Sequence, residues 1–193
     1  MIDLYIFDEG GVLIRNHMVL GLVAEAMGME RETLRGLLPP DMILMSNGEI
    51  DSGEFWRRFE ARTGIRPEKD WWAECFRPTR DEPTFEVVRE LAGAARTVCG
   101  TNTIDSHHII NQKLGMYEPF HAVYASHLIH RSKPDPLFWR HILSCEGVAA
   151  ERAFFADDSE ANVEAALALG MKAFVYTDAA GLRRDLASVG API

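Results

Sequence analysis

Apolar positions along the chain fall into two regimes. Residues 3–7, Asp-Leu-Tyr-Ile-Phe, form a short apolar run closed by the breaker cluster Asp8-Glu9-Gly10-Gly11, the pattern of a buried strand ending in a turn. From about residue 15 to 80 the apolar residues recur at helical spacing, and no convincing strand is expected. Residues 18–37 read as helical with Gly28 as a stop. Residues 51–63 read as a helix capped by Asp51 or Ser52, with Phe55, Trp56 and Phe59 on one face. Residues 69–76, with Trp71, Trp72 and Phe76, read as a further short helix. Asn47-Gly48-Glu49-Ile50-Asp51 reads as a solvated acidic loop.

Beyond this block the period alternates. Helices are expected at 83–94, 105–114, 135–146 and 159–169. Strands are expected at 96–100, 121–125, 152–156 and 172–176. Alternating strand and helix predicts an α/β fold, a doubly wound parallel sheet with the helical block at 15–80 inserted after the first strand.

In such sheets ligands bind beyond the carboxyl ends of the strands. Three of the expected strands end in chemically useful residues: Asp8, Thr101-Asn102 and Asp157-Asp158. Ser132-Lys133-Pro134-Asp135-Pro136 lies between the second and third of these. Together they bring three carboxylates, a hydroxyl and an ammonium to one edge. Adjacent carboxylates are costly to desolvate together unless a cation sits between them. An all-oxygen donor set suits Mg²⁺, which keeps several waters and shares a substrate phosphate. Lys133 offers a point charge to phosphate oxygens, and Gly10 and Gly11 let backbone N–H groups approach closely. A carboxylate beside Mg²⁺ can attack phosphorus in line to form an aspartyl-phosphate that water cleaves.

These segments resemble the four motifs of the haloacid dehalogenase (HAD) superfamily, in order across nearly the whole chain. They are Phe7-Asp8-Glu9-Gly10-Gly11-Val12-Leu13, Thr101-Asn102, Ser132-Lys133-Pro134-Asp135-Pro136, and Phe155-Ala156-Asp157-Asp158-Ser159 followed by Asn162. The resemblance implies a Rossmann-like core at 1–14 and 82–193 and a small helical cap at 15–81 that closes over the site. It implies Asp8 as nucleophile and metal ligand, and Gly10 as a ligand through its backbone carbonyl. Asp158 becomes a direct ligand of Mg²⁺, and Asp157 a ligand or an anchor through water. Thr101, Asn102, Lys133 and Gly10 hold the phosphoryl group. Thr101-Asn102-Thr103 with His107 four positions on is similar to the branch containing sugar-1-phosphate phosphatases.

One departure bears on the chemistry. Most phosphatases of this family carry an acid/base Asp two residues after the nucleophile, where this chain has Gly10. Such a group contributes about 10²–10⁴-fold. Glu9 is an unsuitable replacement, because neighbouring side chains on an extended segment point to opposite sides. His17, His107 or a cap residue are the alternatives. The expected function is hydrolysis of a small phosphorylated metabolite such as a sugar phosphate. The runners-up are 2-haloacid dehalogenation and a catalytically weak protein that binds a phosphorylated ligand or a partner.

Composition narrows the partners. The 193 residues carry a formal net charge of -9, which disfavours general binding to nucleic acid or anionic lipid. No apolar run approaches the roughly 18 residues needed to cross a membrane. Cys75, Cys99 and Cys145 are three, widely spaced and without a CxxC, as expected of free thiols in a reducing compartment. The expected protein is cytoplasmic, a monomer or a homodimer.

Overall fold

A computed structural model describes all 193 residues. Five parallel strands form the sheet, in the order β5-β4-β1-β6-β7. They are β1 (Leu4–Phe7), β4 (Arg96–Thr101), β5 (Ala122–Ala125), β6 (Ala153–Asp157) and β7 (Lys172–Val175). β1 lies at the centre: Phe7 pairs with Cys99 of β4 on one side and Ala156 of β6 on the other. The chain leaves β1 toward opposite edges of the sheet, so the switch in strand order falls at Asp8.

Alternation along β1 assigns its side chains to two faces. Leu4 and Ile6 join a core with Val98, Phe155 and the inner faces of α9 (Pro136–Glu146) and α10 (Glu160–Ala168). Tyr5 and Phe7 join Phe154, the face of α6 (Glu82–Ala92) and Leu182 and Leu186 of α11 (Ala179–Ser188). α7 (Asp105–Lys113) and the short α8 (Ser126–Ile129) follow β4 and β5 at the carboxyl edge. Asp81 and Asp135 cap α6 and α9 through the backbone N–H groups of Thr84 and Leu137, each with Pro inside the first turn. No helix is long and apolar enough to cross a membrane.

Five helices occupy the block after β1: α1 (Leu20–Ala26), α2 (Arg31–Leu37), α3 (Asp41–Ser46), α4 (Ser52–Thr63) and α5 (Trp71–Cys75). Asp70 ties α4 to α5. Its carboxylate caps α5 and accepts from Ser52 Oγ at 2.7 Å and Trp56 Nε1 at 2.9 Å. The Trp56 and Trp72 rings stack with centroids 5.4 Å apart. The larger apolar core runs without a break from these helices into the Tyr5/Phe7 face of the sheet.

The structure differs from the sequence expectation at α8, which falls where no helix was expected, and in three further places. β2 (Ile14–Arg15) and β3 (Thr79–Arg80) form an antiparallel ribbon at the two ends of the block read as purely helical. Two-residue strands carry no periodicity to read. The C-terminal helix α11 was not expected; Asp178 caps it by accepting from Gly181 N at 2.7 Å. The stretch 47–51 is a loop with Glu49 and Asp51 exposed, as expected, but it also docks onto the sheet domain. Asn47 accepts from Ser132 Oγ through its side chain, its carbonyl meets His130 Nδ1 at 2.8 Å, and Ile50 is buried.

Gly48 makes that docking possible. Its φ is +65°, and a Cβ there would lie 1.9 Å from the His127 carbonyl oxygen. Gly64 has a similar φ of +73° but opens onto empty space. Gly64→Ala should therefore cost only the left-handed penalty of about 1 kcal/mol. Gly48→Ala should cost roughly 2–4 kcal/mol, because backbone must also move. Urea denaturation of both variants measures the difference, and equal losses would remove the steric argument.

Candidate active site

The carboxyl ends of β1, β4 and β6 bring together the residues that the motifs singled out. Lys133 is their hub. Its Nζ donates to Asp8 Oδ1 at 2.7 Å, to Asp157 Oδ2 at 2.6 Å and to the Gly100 carbonyl at 2.9 Å. All three donors of the ammonium are thus used, and its side chain is only 1% exposed. Burial alone would lower the pKa of this amine, but Asp8 and Asp157 outweigh burial and raise it. The charged form is the one the site holds.

Asn102 fixes the backbone that carries Lys133. Its amide donates to the Lys133 carbonyl and accepts from the Lys133 N–H, both at 2.8 Å. The Asn102 side chain is consumed by this clamp, which leaves its backbone N–H as the group available for a ligand.

The four acidic residues differ sharply in environment. Asp157 is fully buried and saturated. It accepts from Ser159 N and Asn162 Nδ2 as well as from Lys133. Asp8 is buried too, and desolvation pushes its carboxyl up to about 6 against the opposing pull of Lys133. Asp158 is exposed at the rim, yet burial of its surroundings and the neighbouring Asp157 also raise its pKa. One oxygen from each of Asp8, Asp157 and Asp158 lies within 4.8 Å of the others. Such a cluster, with only one ammonium to offset it, fits a hard divalent cation such as Mg²⁺. Gly11 makes room for it. At φ +81°, its missing Cβ would fall 2.1 Å from Asp158 Oδ2, so any side chain there would evict the carboxylate.

Glu9, which the sequence set aside as an acid/base, has a buried role that its place in the motif did not announce. It turns away from Asp8, is buried, and accepts from Asn111 Nδ2 at 2.8 Å. The Thr101 hydroxyl lies 3.4 Å from its other oxygen. Burial first, and then Asp8, pushes the Glu9 carboxyl up to about 8. A charged residue inside the apolar-flanked first motif was the available signal. Its burial depends on Asn111, about a hundred residues away.

Gly10 and His17 meet directly. The place a Cβ at position 10 would take is 3.1 Å from His17 Cδ2. Burial lowers the His17 pKa, and the charge of Asp158 opposes the shift. His107 is committed elsewhere. Its ring stacks on Phe76 at 3.8 Å, Nε2 meets the Trp72 carbonyl at 3.0 Å, and burial pushes its pKa down to about 4. Gly10, His17, Thr101, Asn102 and His107 all line one small cavity of about 70 Å³ beside Asp8.

Residues 2–170 match the haloacid dehalogenase-like hydrolases. The sesquiterpene phosphatase astK of Aspergillus oryzae is 29% identical over 187 residues, spanning 90% of this chain and 89% of that protein. The chloroplast flavin mononucleotide hydrolase 1 of Arabidopsis thaliana is 30% identical over 192 residues, spanning 98% and 78% respectively. Among solved structures, the HAD family enzyme bt-2542 of Bacteroides thetaiotaomicron, in complex with magnesium and inorganic phosphate, shares the fold. Its TM-score is 0.78 at 21% identity, over 92% of this chain and 96% of that one.

The Glu9 environment makes a pH prediction. The folded chain holds this proton to about 8, whereas an unfolded Glu releases it near 4.5. Its contribution to stability is complete below 4.5 and is lost as pH rises through 8. Glu9→Gln should remove that loss. The stability of wild type relative to Glu9→Gln should fall on the order of 4 kcal/mol between pH 4.5 and 8.5, the linkage value of such a shift. Urea titrations of both proteins across this range measure it, and parallel profiles would show that Glu9 ionises freely in the fold.

Proposed function

The chain belongs to the haloacid dehalogenase-like hydrolases, and we propose that within them it is a Mg²⁺-dependent phosphomonoesterase acting on a small phosphorylated metabolite. The observation that carries this reading is the cluster of Asp8, Asp157 and Asp158 oxygens around a site whose only buried cation is Lys133. A 2-haloacid dehalogenase uses the same attacking carboxylate on carbon and needs no metal, so it has no need of three carboxylate oxygens gathered within reach of one ion. The names of the two curated relatives, phosphatases of a sesquiterpene and of a flavin nucleotide, favour the same reading.

Each residue then has a task. Asp8 attacks phosphorus, the bond from phosphorus to the ester oxygen breaks, and the alcohol leaves with a proton. Water then attacks the aspartyl-phosphate at phosphorus, releasing inorganic phosphate and restoring Asp8. Asp8, Asp158 and the Gly10 carbonyl would hold Mg²⁺, which when bound supplies positive charge against the phosphoryl oxygens. Asp157, its oxygens taken by Lys133, Ser159 and Asn162, would serve as an anchor that acts on the ion indirectly. Lys133 restrains Asp8 and offers charge to the phosphoryl group. The Thr101 hydroxyl, held only loosely by Glu9, and the Asn102 N–H receive the remaining phosphoryl oxygens.

His17 takes the part of the missing acid/base. It fills the space over Gly10 into which a side chain at that position would point. His107 cannot serve, because its Nε2 and its ring face are both engaged.

Two outcomes test the mechanism. Hydrolysis of p-nitrophenyl phosphate should require Mg²⁺, stop on adding EDTA, and fall at least about 10⁴-fold in Asp8→Asn. Metal-independent chloride release from 2-chloropropionate would instead place the chain among the dehalogenases. His17→Gln should lower kcat by about 10²–10⁴-fold for an alkyl phosphate, whose alkoxide needs a proton. For p-nitrophenyl phosphate, a good leaving group, the loss should stay below about tenfold. An equal loss on both esters would assign His17 a structural part only.

A further inference from the structure

A second cavity, about 280 Å³, lies between the helical insertion and the carboxyl edge of the sheet. It adjoins the small cavity lined by Gly10 and Thr101, because Asn102, Thr103 and His107 form walls of both. A group esterified to a phosphate held at Asp8 and Thr101 has this cleft to enter.

The lining is overwhelmingly hydrocarbon and sulfur. Met18, Leu20, Leu38, Met42, Trp72 and Ile104 supply most of it, from α1, the α2–α3 connection, α3, α5 and the segment before α7. Most of the polar groups in the wall are already engaged. The Asn102 amide is clamped on the Lys133 backbone, the Ser46 hydroxyl shares a bond with Ser132 Oγ at 3.0 Å, and His107 Nε2 meets the Trp72 carbonyl. On the side chains there remain the Thr103 hydroxyl, one His107 ring nitrogen and the Trp72 indole N–H, which is buried without a partner. A sugar brings four or more hydroxyls, more than these three groups can satisfy, and each one left without a partner costs about tenfold or more in affinity. A hydrocarbon chain loses nothing and removes apolar wall from water.

Resting on the phosphatase reading above, we propose that the substrate is the phosphate monoester of an aliphatic alcohol, its hydrocarbon chain lying in this cleft. The sugar phosphates that the second motif suggested are the wrong class for such a wall. Specificity then grows with chain length, since each methylene that leaves water contributes roughly fourfold. Met18, exposed at the mouth, and Met42, half-buried, are unbranched and adapt to the chain rather than select one shape.

The test is a homologous series of n-alkyl phosphates from ethyl to octyl, set against glucose 1-phosphate and glucose 6-phosphate. With wild type and Mg²⁺, kcat/KM should rise roughly fourfold per methylene until the cleft is full, and both glucose phosphates should fall below butyl phosphate. Met42→Gln should flatten the slope, and Met18→Ser, on the exposed rim, should flatten it for the longest chains only. A second arm measures binding of the matching n-alkylphosphonates, which cannot be hydrolysed, to Asp8→Asn with Mg²⁺ by calorimetry. Their Kd should tighten with the same slope. A flat alkyl series alongside normal p-nitrophenyl phosphate turnover would overturn the aliphatic substrate and leave the phosphatase standing. Chain-length-dependent phosphonate binding without turnover of any ester would uphold the cleft and overturn the phosphatase. Glucose phosphates outperforming octyl phosphate would overturn the proposal outright.

Discussion

The ammonium of Lys133, sealed between Asp8, Asp157 and the Gly100 carbonyl, is the interaction on which the site depends. It joins the ends of β1, β4 and β6, three neighbours in the sheet, at one nitrogen. Burying a cation and two carboxylates costs several kcal/mol per charge before any attraction is counted. The arrangement persists because every donor on Nζ is used and Asp157 takes further donors from Ser159 and Asn162. Removing the lysine would strand two buried carboxylates, a loss of about 3–5 kcal/mol in comparable buried pairs. Two carboxylates against one ammonium also leave negative charge uncompensated, with Asp158 adding more at the rim. That imbalance is what a divalent cation would offset.

Around this hub the small residues matter through what they admit. A Cβ at position 11 would collide with the Asp158 carboxylate, and one at position 10 would crowd the His17 ring. The turn Asp8-Glu9-Gly10-Gly11 is held by the Leu13 and Ile14 N–H groups donating to the Glu9 carbonyl, at 2.8 and 3.0 Å. That closure aims Asp8 at Lys133 while sending the Glu9 side chain to Asn111. Two carboxylates one residue apart thereby acquire opposite tasks: one is solvated by an ammonium for attack, the other is buried with its proton.

Much of this was legible from the chain alone, because strand ends and helix caps are local signals. Asp8, Thr101, Asn102 and Asp157-Asp158 each close an apolar run, and the alternation of strand and helix places them on one edge. What escaped depends on contacts distant in sequence. Only the family resemblance separated Asp157 from Asp158; the fold supplies the physical difference, one saturated by three donor groups and the other facing solvent at the rim. Glu9 is an ordinary acid until Asn111 and Thr101 close on it. Gly48 reads as part of a polar loop; only the His127 carbonyl against it shows that the loop is packed. The ribbon of β2 and β3 is too short for any periodicity, so it exists only through pairing across 65 residues of chain.

These long-range contacts also bind the helical insertion to the hub. Ser132, the residue before Lys133, bonds through its hydroxyl to Asn47 at 2.6 Å and Ser46 at 3.0 Å, both at the end of α3. Ser126, after β5, donates to the Ser46 carbonyl at 2.7 Å and accepts from the Thr103 N–H at 3.0 Å. The residues that line the apolar cleft and those that hold the lysine thus share a hydrogen-bonded seam, and the larger apolar core passes beneath it unbroken. In this fold the wall of the apolar cleft and the backbone that carries Lys133 are therefore joined by direct hydrogen bonds from the end of α3 to Ser132.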